Sequence, residues 1–126
     1  MRIFKNKEFT KFAKKERISD DTLRHAISQV EKGRIDADLG GNVIKQRIPR
    51  QGKGKSGGYR SVILYRKGDR AFFQFGFAKN VKDNITKTEL DYARDYAKLL
   101  LNLSDANIQL LITEGKLKEI TNHEKD

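Results

Sequence analysis

The sequence predicts an α+β fold: an N-terminal helical hairpin, then an antiparallel β-sheet, then C-terminal helices. Three observations carry this. Apolar residues recur at helical spacing from residue 7 to Gly33, the period drops to two between Val43 and Phe77, and helical spacing returns at Thr86. Helices and strands are thus grouped along the chain rather than alternating singly, which is the mark of α+β rather than α/β.

Each element has a local cause. Residues 7–16 place Phe9, Phe12 and Ala13 on one helical stripe. In a second helix Ser19 is the N-cap, and Asp20 and Asp21 complement the positive end of the dipole. Leu23, Ala26, Ile27 and Val30 form its apolar face, and Gly33 ends it as a left-handed cap. Val43 to Ile48 then reads as a half-buried strand, with Ile44 and Ile48 on one side and Lys45 and Arg47 on the other. Pro49 has no amide proton for a ladder and is expected to close it. Gln51 to Gly58 reads as a flexible basic loop. Tyr59 to Arg66 is apolar on both faces, as in a central strand, and the turn Lys67-Gly68-Asp69 joins it to a phenylalanine-rich strand, Arg70 to Phe77.

After the connection from Ala78 to Ile85, a long helix runs from about Thr86 to Leu103. Thr86 and Glu89 have capping-box spacing, and Leu90, Ala93, Ala97, Leu100 and Leu101 form the buried stripe. Ser104 caps a further helix ended by Gly115, and Lys116 to Ile120 is expected as an edge strand. No repeat or linker divides the chain. Residues 1–120 read as one domain with a C-terminal extension from about residue 104, and residues 121–126 as a disordered tail.

Composition narrows the chemistry. The 126 residues include 27 Lys+Arg and 17 Asp+Glu, a formal charge of +10, which favours anionic partners. The surplus is concentrated: the thirty residues between Asp38 and Asp69 contain no acid and eight cations. A single-sign block repels itself until an anion arrives, and a phosphate backbone is such an anion. The absence of cysteine excludes disulfides, thiolate catalysis and cysteine-held metal. Apolar runs reach only three residues, far short of the ~20 that cross a membrane, and no signal-peptide apolar region follows Met1, so a cytoplasmic location is expected.

Two familiar constellations fail. Gly54-Lys55-Ser56 lacks the upstream glycine of a phosphate loop, since that position is Pro49, and it leads into a strand instead of a helix. His25 lies off the apolar stripe of its helix and His123 is in the tail, so neither forms a catalytic pair or a metal cluster. No metal site and no cofactor are expected. Lysine, arginine, tyrosine and backbone amides remain, and they suit one demanding reaction. RNA is cut when its own 2′-hydroxyl attacks the adjacent phosphate, and a protein then needs only to orient that nucleophile and stabilise the charge that develops. Crowding by like charges also lowers a lysine pKa, which makes lysine a candidate base.

Ile44-Lys45-Gln46-Arg47-Ile48, Gly52-Lys53-Gly54-Lys55-Ser56-Gly57-Gly58-Tyr59-Arg60 and Gly76-Phe77-Ala78-Lys79-Asn80 together resemble the RelE/ParE superfamily of bacterial toxins, and most closely its HigB-like branch. The resemblance implies a ribosome-dependent mRNA interferase, acting on mRNA in the ribosome and held inactive by a cognate antitoxin, which includes helix-turn-helix types. Carried over by position, Lys45 and Arg47 match the basic pair on the first central strand, where a base or charge stabiliser sits. Arg60 matches the arginine that contacts the scissile phosphate, and Lys79 and Asn80 match the basic pair ending the last long strand, with asparagine replacing an arginine. Lys53 and Lys55 would grip RNA or ribosome backbone.

One departure stands out. The family carries a tyrosine seven residues beyond the lysine matched by Lys79, and this sequence has Thr86 there, read above as a helix cap. Its base-stacking role falls to Tyr59 or Phe77 or is lost; Phe77 is expected in the core with Phe73 and Phe75. Two other functions fit the same resemblance or charge: a ParE-like gyrase inhibitor that cuts nothing, and a noncatalytic RNA- or ribosome-binding module. Salt-dependent binding is common to the nuclease and the module, so cleavage is what separates them.

Overall fold

The computed structural model describes residues 1–50, 54–79 and 84–121, with the backbone alone for residues 54–57. The elements are β1 (Arg2–Asn6), α1 (Lys7–Glu16), α2 (Asp20–Glu31), β2 (Ala37–Gly40), β3 (Val43–Arg50), β4 (Gly54–Arg66), β5 (Arg70–Ala78), α3 (Lys87–Leu100), α4 (Asp105–Thr113) and β6 (Leu117–Ile120). The fold is α+β, as expected. One six-stranded sheet in the order β2-β3-β4-β5-β1-β6 carries α1 and α2 on one face and α3 and α4 on the other.

The sheet is mixed, which corrects the antiparallel expectation. β1 runs parallel to β5, with Phe4 beside Phe72, and antiparallel to β6, while every other pairing is antiparallel. Neither β1 nor β2 was expected. β1 shows no alternation because it is central: Ile3 packs with the core under α1 and α2, and Phe4 with the core under α3 and α4. β2 is joined to β3 by Gly41 and Asn42, both at positive φ (63° and 64°), the pattern of a two-residue type I′ hairpin.

Two further expectations shift at the basic loop. β3 continues through Pro49 to Arg50, and the missing proline donor is accommodated by a register shift between Ile48 and Arg50. β4 begins at Gly54, opposite Arg50, so residues 54–58 are strand and not loop. Residues 51–53 lie outside the described residues, as do 122–126, on which the tail expectation falls.

The helix signals hold. Ser19 caps α2 and Ser104 caps α4, each accepting a backbone amide three residues on, and Thr86 and Glu89 form a reciprocal capping box on α3; Asn6, which the sequence reading did not single out, caps α1 in the same way. Gly33 and Gly115 have positive φ (86° and 78°) just past their helices.

Each face of the sheet has its own core. Phe9, Leu23, Ile27, Ile48, Ile63 and Phe73 fill one; Phe4, Val43, Val62, Leu64, Phe72 and Ile108 fill the other. Phe73 therefore lies opposite Phe75 and Phe77, against expectation. A bulge at Gln74, where Ile63 pairs with Phe73 but Val62 with Phe75, reverses the alternation. The α3–α4 junction is fastened to the β4–β5 turn by two arginines. Arg70 donates to Leu100 O (3.1 Å) and Asp105 (3.2 Å), and Arg66 donates to Leu101 O and to Asn102 Oδ1 (3.2 Å).

Gly76 is required by contact. A Cβ there would stand 2.5 Å from the Phe12 ring, which also meets Tyr59 edge-on at 5.6 Å. Gly76→Val is expected to lower unfolding stability by roughly 1–3 kcal/mol through overpacking, read from urea denaturation. A midpoint equal to the parent's would show that Phe12 is not fixed there.

Candidate nucleic-acid interface

β3 sets the orientation of the site. On the face toward α1 and α2, buried Gln46 accepts from Asp36 N (3.0 Å) and donates to Arg34 O (2.9 Å). With Ile44 and Ile48 on that same side, Lys45 and Arg47 must leave the sheet on the α3 side. Antiparallel pairing then places Arg47 directly across from Arg60 on β4, and Arg60 across from Phe77 on β5. The carboxylate of Asp36 accepts the amide of Arg47 (2.5 Å), which holds this part of β3 from its outer side.

Three of the expected residues therefore come together: Lys45, Arg47 and Arg60 share one face. Lys79 is exposed in the turn after β5, two residues beyond the strand partner of Arg60, at the same end of the sheet. Like charges directly opposed on neighbouring strands repel, and no ion pair among the described residues offsets this pair. Among the described residues, none of these four side chains is salt-bridged to a carboxylate. Arg2, Lys5, Arg24, Arg66 and Arg70, by contrast, are all ion-paired. Lys45 instead donates to Asn84 Oδ1 (2.9 Å), a neutral acceptor. The same oxygen accepts Ile85 N (2.9 Å), tying the approach to α3 onto this face.

Tyr59 is not brought to this face. It projects toward α1 with 3% of its surface exposed, donates to Glu16 (3.0 Å) and lies under the Arg50 guanidinium at 5.6 Å. Phe77 is on the cation side but buried, near-parallel to Phe75 with ring centroids 6.4 Å apart. Thr86 is committed to the α3 cap, its hydroxyl accepting Glu89 N (3.1 Å). Lys53 and Asn80 lie outside the described residues, and Lys55 is described by its backbone alone. Gly58 has a role not anticipated: a Cβ there would meet Ile48 O at 2.7 Å, so glycine lets β4 lie against β3 beside the register shift. Asp36 and Asn84 were also missed, and Gln46 was quoted without a role of its own, because each acts by backbone or neighbour contact.

Burial, and then the bond to Glu16 and its charge, raise the Tyr59 pKa above 10, with Arg50 opposing; burial and Glu31 raise that of Tyr65. A pKa higher in the folded than in the unfolded state favours the protonated fold. This contribution is complete below about pH 10 and is lost as pH rises through the raised values. Tyr59→Phe is expected to cost about 1 kcal/mol near neutrality through the lost hydrogen bond, and to flatten part of the alkaline decline. Urea midpoints from pH 8 to 11 test this, and a parent midpoint constant over that range would refute it.

A sheet face with committed carboxylates elsewhere and uncommitted cations here defines a small basic domain suited to a polyanion such as a phosphate backbone. Among the described residues no group of three or more His, Asp or Glu could hold a metal ion, and no helix is long and apolar enough to cross a membrane. The family model described as the RelE toxin of the RelE/RelB toxin–antitoxin system matches residues 1–120. The chain belongs to that family and is a toxin of a toxin–antitoxin system, with a cognate antitoxin as partner. No curated protein matches the chain.

Proposed function

We propose that this toxin is a ribosome-dependent mRNA endoribonuclease of the HigB-like branch. One observation carries the reading: Lys45, Arg47 and Arg60 share a sheet face, two of them directly opposed, without a salt-bridged carboxylate among the described residues. A scissile phosphate supplies the charge that such a cluster lacks.

In the proposed reaction the 2′-oxygen gives up its proton and attacks phosphorus. The bond to the 5′-oxygen breaks, that oxygen takes up a proton, and a 2′,3′-cyclic phosphate is left. Arg60, with Arg47 opposite, stabilises the extra negative charge on phosphorus. By the family resemblance Lys45, which donates to Asn84, serves as base or charge stabiliser, and Lys79 completes the cationic set from the turn after β5. The planar guanidiniums can also stack on bases, a role that Tyr59 is turned away from serving. Lys53, Lys55 and Asn80 are assigned to RNA or ribosome backbone by the family resemblance alone. DNA lacks the nucleophile and should be inert.

Expression followed by mapping of mRNA 5′ ends tests the proposal. Cuts confined to translated messages, reduced roughly 10²–10³-fold by Arg60→Ala or Lys79→Ala, are expected from the loss of one charge-stabilising group. Intact messages with induced DNA damage would move the assignment to gyrase inhibition. Bound but uncut RNA would identify a noncatalytic module.

A further inference from the structure

Aromatic surface lies next to the cations on the α3 side of the sheet. Arg60 pairs with Phe77, and two residues further along the same strands, about 7 Å away, Val62 pairs with Phe75. Phe75 lines a pocket of about 250 Å³ together with Tyr92, Tyr96 and Glu89 from α3, Gln74 from β5 and Glu8 from α1. Tyr92 is 63% exposed, more than any other large apolar side chain among the described residues. Packing of α3 does not call for this ring, because Ala93 and Ala97 are the residues it turns to the sheet. The hydroxyls of Tyr92 and Tyr96 make no hydrogen bond among the described residues.

The polar groups of the pocket differ in commitment. Glu89 belongs to the α3 cap, where its carboxylate accepts Thr86 N (2.8 Å). Asn6 donates to Gln74 O (2.8 Å), which holds the bulged backbone, while the Gln74 side-chain amide has no hydrogen bond among the described residues. Glu8 is exposed in the first turn of α1 and has no ion pair among the described residues. An exposed aromatic ring, an amide and a carboxylate around one hollow suit a planar heterocycle with polar edges. A phosphate does not suit it, since both charged groups in the lining are acids. The cations beside it take that half of a nucleotide instead.

We propose that this pocket takes the base of a nucleotide next to the scissile phosphate and selects guanine. The proposal rests on the RNA reading of the cation face. The base stacks on Tyr92, and Glu8 accepts from N1–H and the 2-amino group, which guanine presents side by side. Adenine, cytosine and uracil each offer a carboxylate one donor group on that edge. The Gln74 amide donates to the guanine carbonyl oxygen. The pocket therefore sets which base flanks the cut, while the cations hold the backbone whatever its sequence.

The test uses the full chain and four labelled 2′-O-methyl tetranucleotides, all uridine except for one position that carries each base in turn. The methyl group removes the nucleophile, so fluorescence polarisation reads binding without cleavage. The guanine strand is expected to bind most tightly. Tyr92→Ala should weaken it about fivefold or more, as the loss of one stacked base does, and Tyr92→Phe should bind like the parent. Glu8→Gln should erase the preference for guanine, and Arg47→Ala with Arg60→Ala should weaken all four strands alike. Because Tyr92 and Glu8 are exposed, thermal midpoints should stay within a few degrees of the parent's. Parent affinities in Tyr92→Ala, equal binding of the four strands, preference for another base, or no binding of any strand would each overturn the proposal. Cleavage is a separate result: a strand held through Tyr92 in a toxin that never cuts messages would sink the ribonuclease reading and leave the pocket standing. Cut messages with a pocket indifferent to Tyr92→Ala would do the reverse.

Discussion

The register of β3 on β4 decides which side chains leave the sheet on which side, and the rest of the molecule is arranged around that choice. Ile44 opposite Ile63 and Ile48 opposite Tyr59 bind the pair into the core under α1 and α2. Because the side-chain period is two, a slip of β3 by one residue would turn Ile44 and Ile48 to the other face and bury Lys45 and Arg47 in their place. Buried Gln46 resists that slip, since its amide is satisfied only where Arg34 O and Asp36 N lie. The placement of three cations thus follows from apolar packing on the reverse side of the sheet and not from any attraction among the cations themselves.

Arginine does two kinds of work here, and the partners distinguish them. Arg66 and Arg70 spend their donors on the last carbonyls of α3, on Asn102 and on acids at the turn and at the start of α4. A guanidinium committed in this way is part of the scaffold, and removing it would leave buried carbonyls without donors. Arg47 and Arg60 make no comparable commitments among the described residues. Beside the cation face runs α3, whose Ala93 and Ala97 are small enough to bring the helix close onto Val62 and Leu64. That close approach also sets Tyr92 beside Phe75, on the same side of the sheet as the cations.

Much of this could be read from the residues, and the gaps have physical causes. Helix ends were legible because a cap is a local event: Ser19, Thr86 and Ser104 each satisfy amides within three residues. The sidedness of Lys45 and Arg47 was legible because Ile44 and Ile48 alternate with them. β1 was not, since Ile3 and Phe4 are buried on opposite faces and leave no period to detect. The position of Phe73 was misread because a bulge at Gln74 cannot be seen in composition. Tyr59 looked like part of the site because it adjoins Arg60, and adjacency along a strand is what puts two residues on opposite faces. The contacts of Asn84 and Asp36 span gaps of 39 and 11 residues, and no local pattern announces them.

The parallel placement of β1 bears on when the fold can exist. Arg2–Asn6 is synthesised well before its two neighbours in the sheet, Arg70–Ala78 and Leu117–Ile120. Until the first of these emerges, the strand has no ladder to join; until the second does, one of its edges stays bare and Phe4 lacks part of its cover. Assembly through such distant pairings is slow compared with local hairpin closure. The core under α3 and α4 is consequently completed only after nearly all of the described chain has been synthesised.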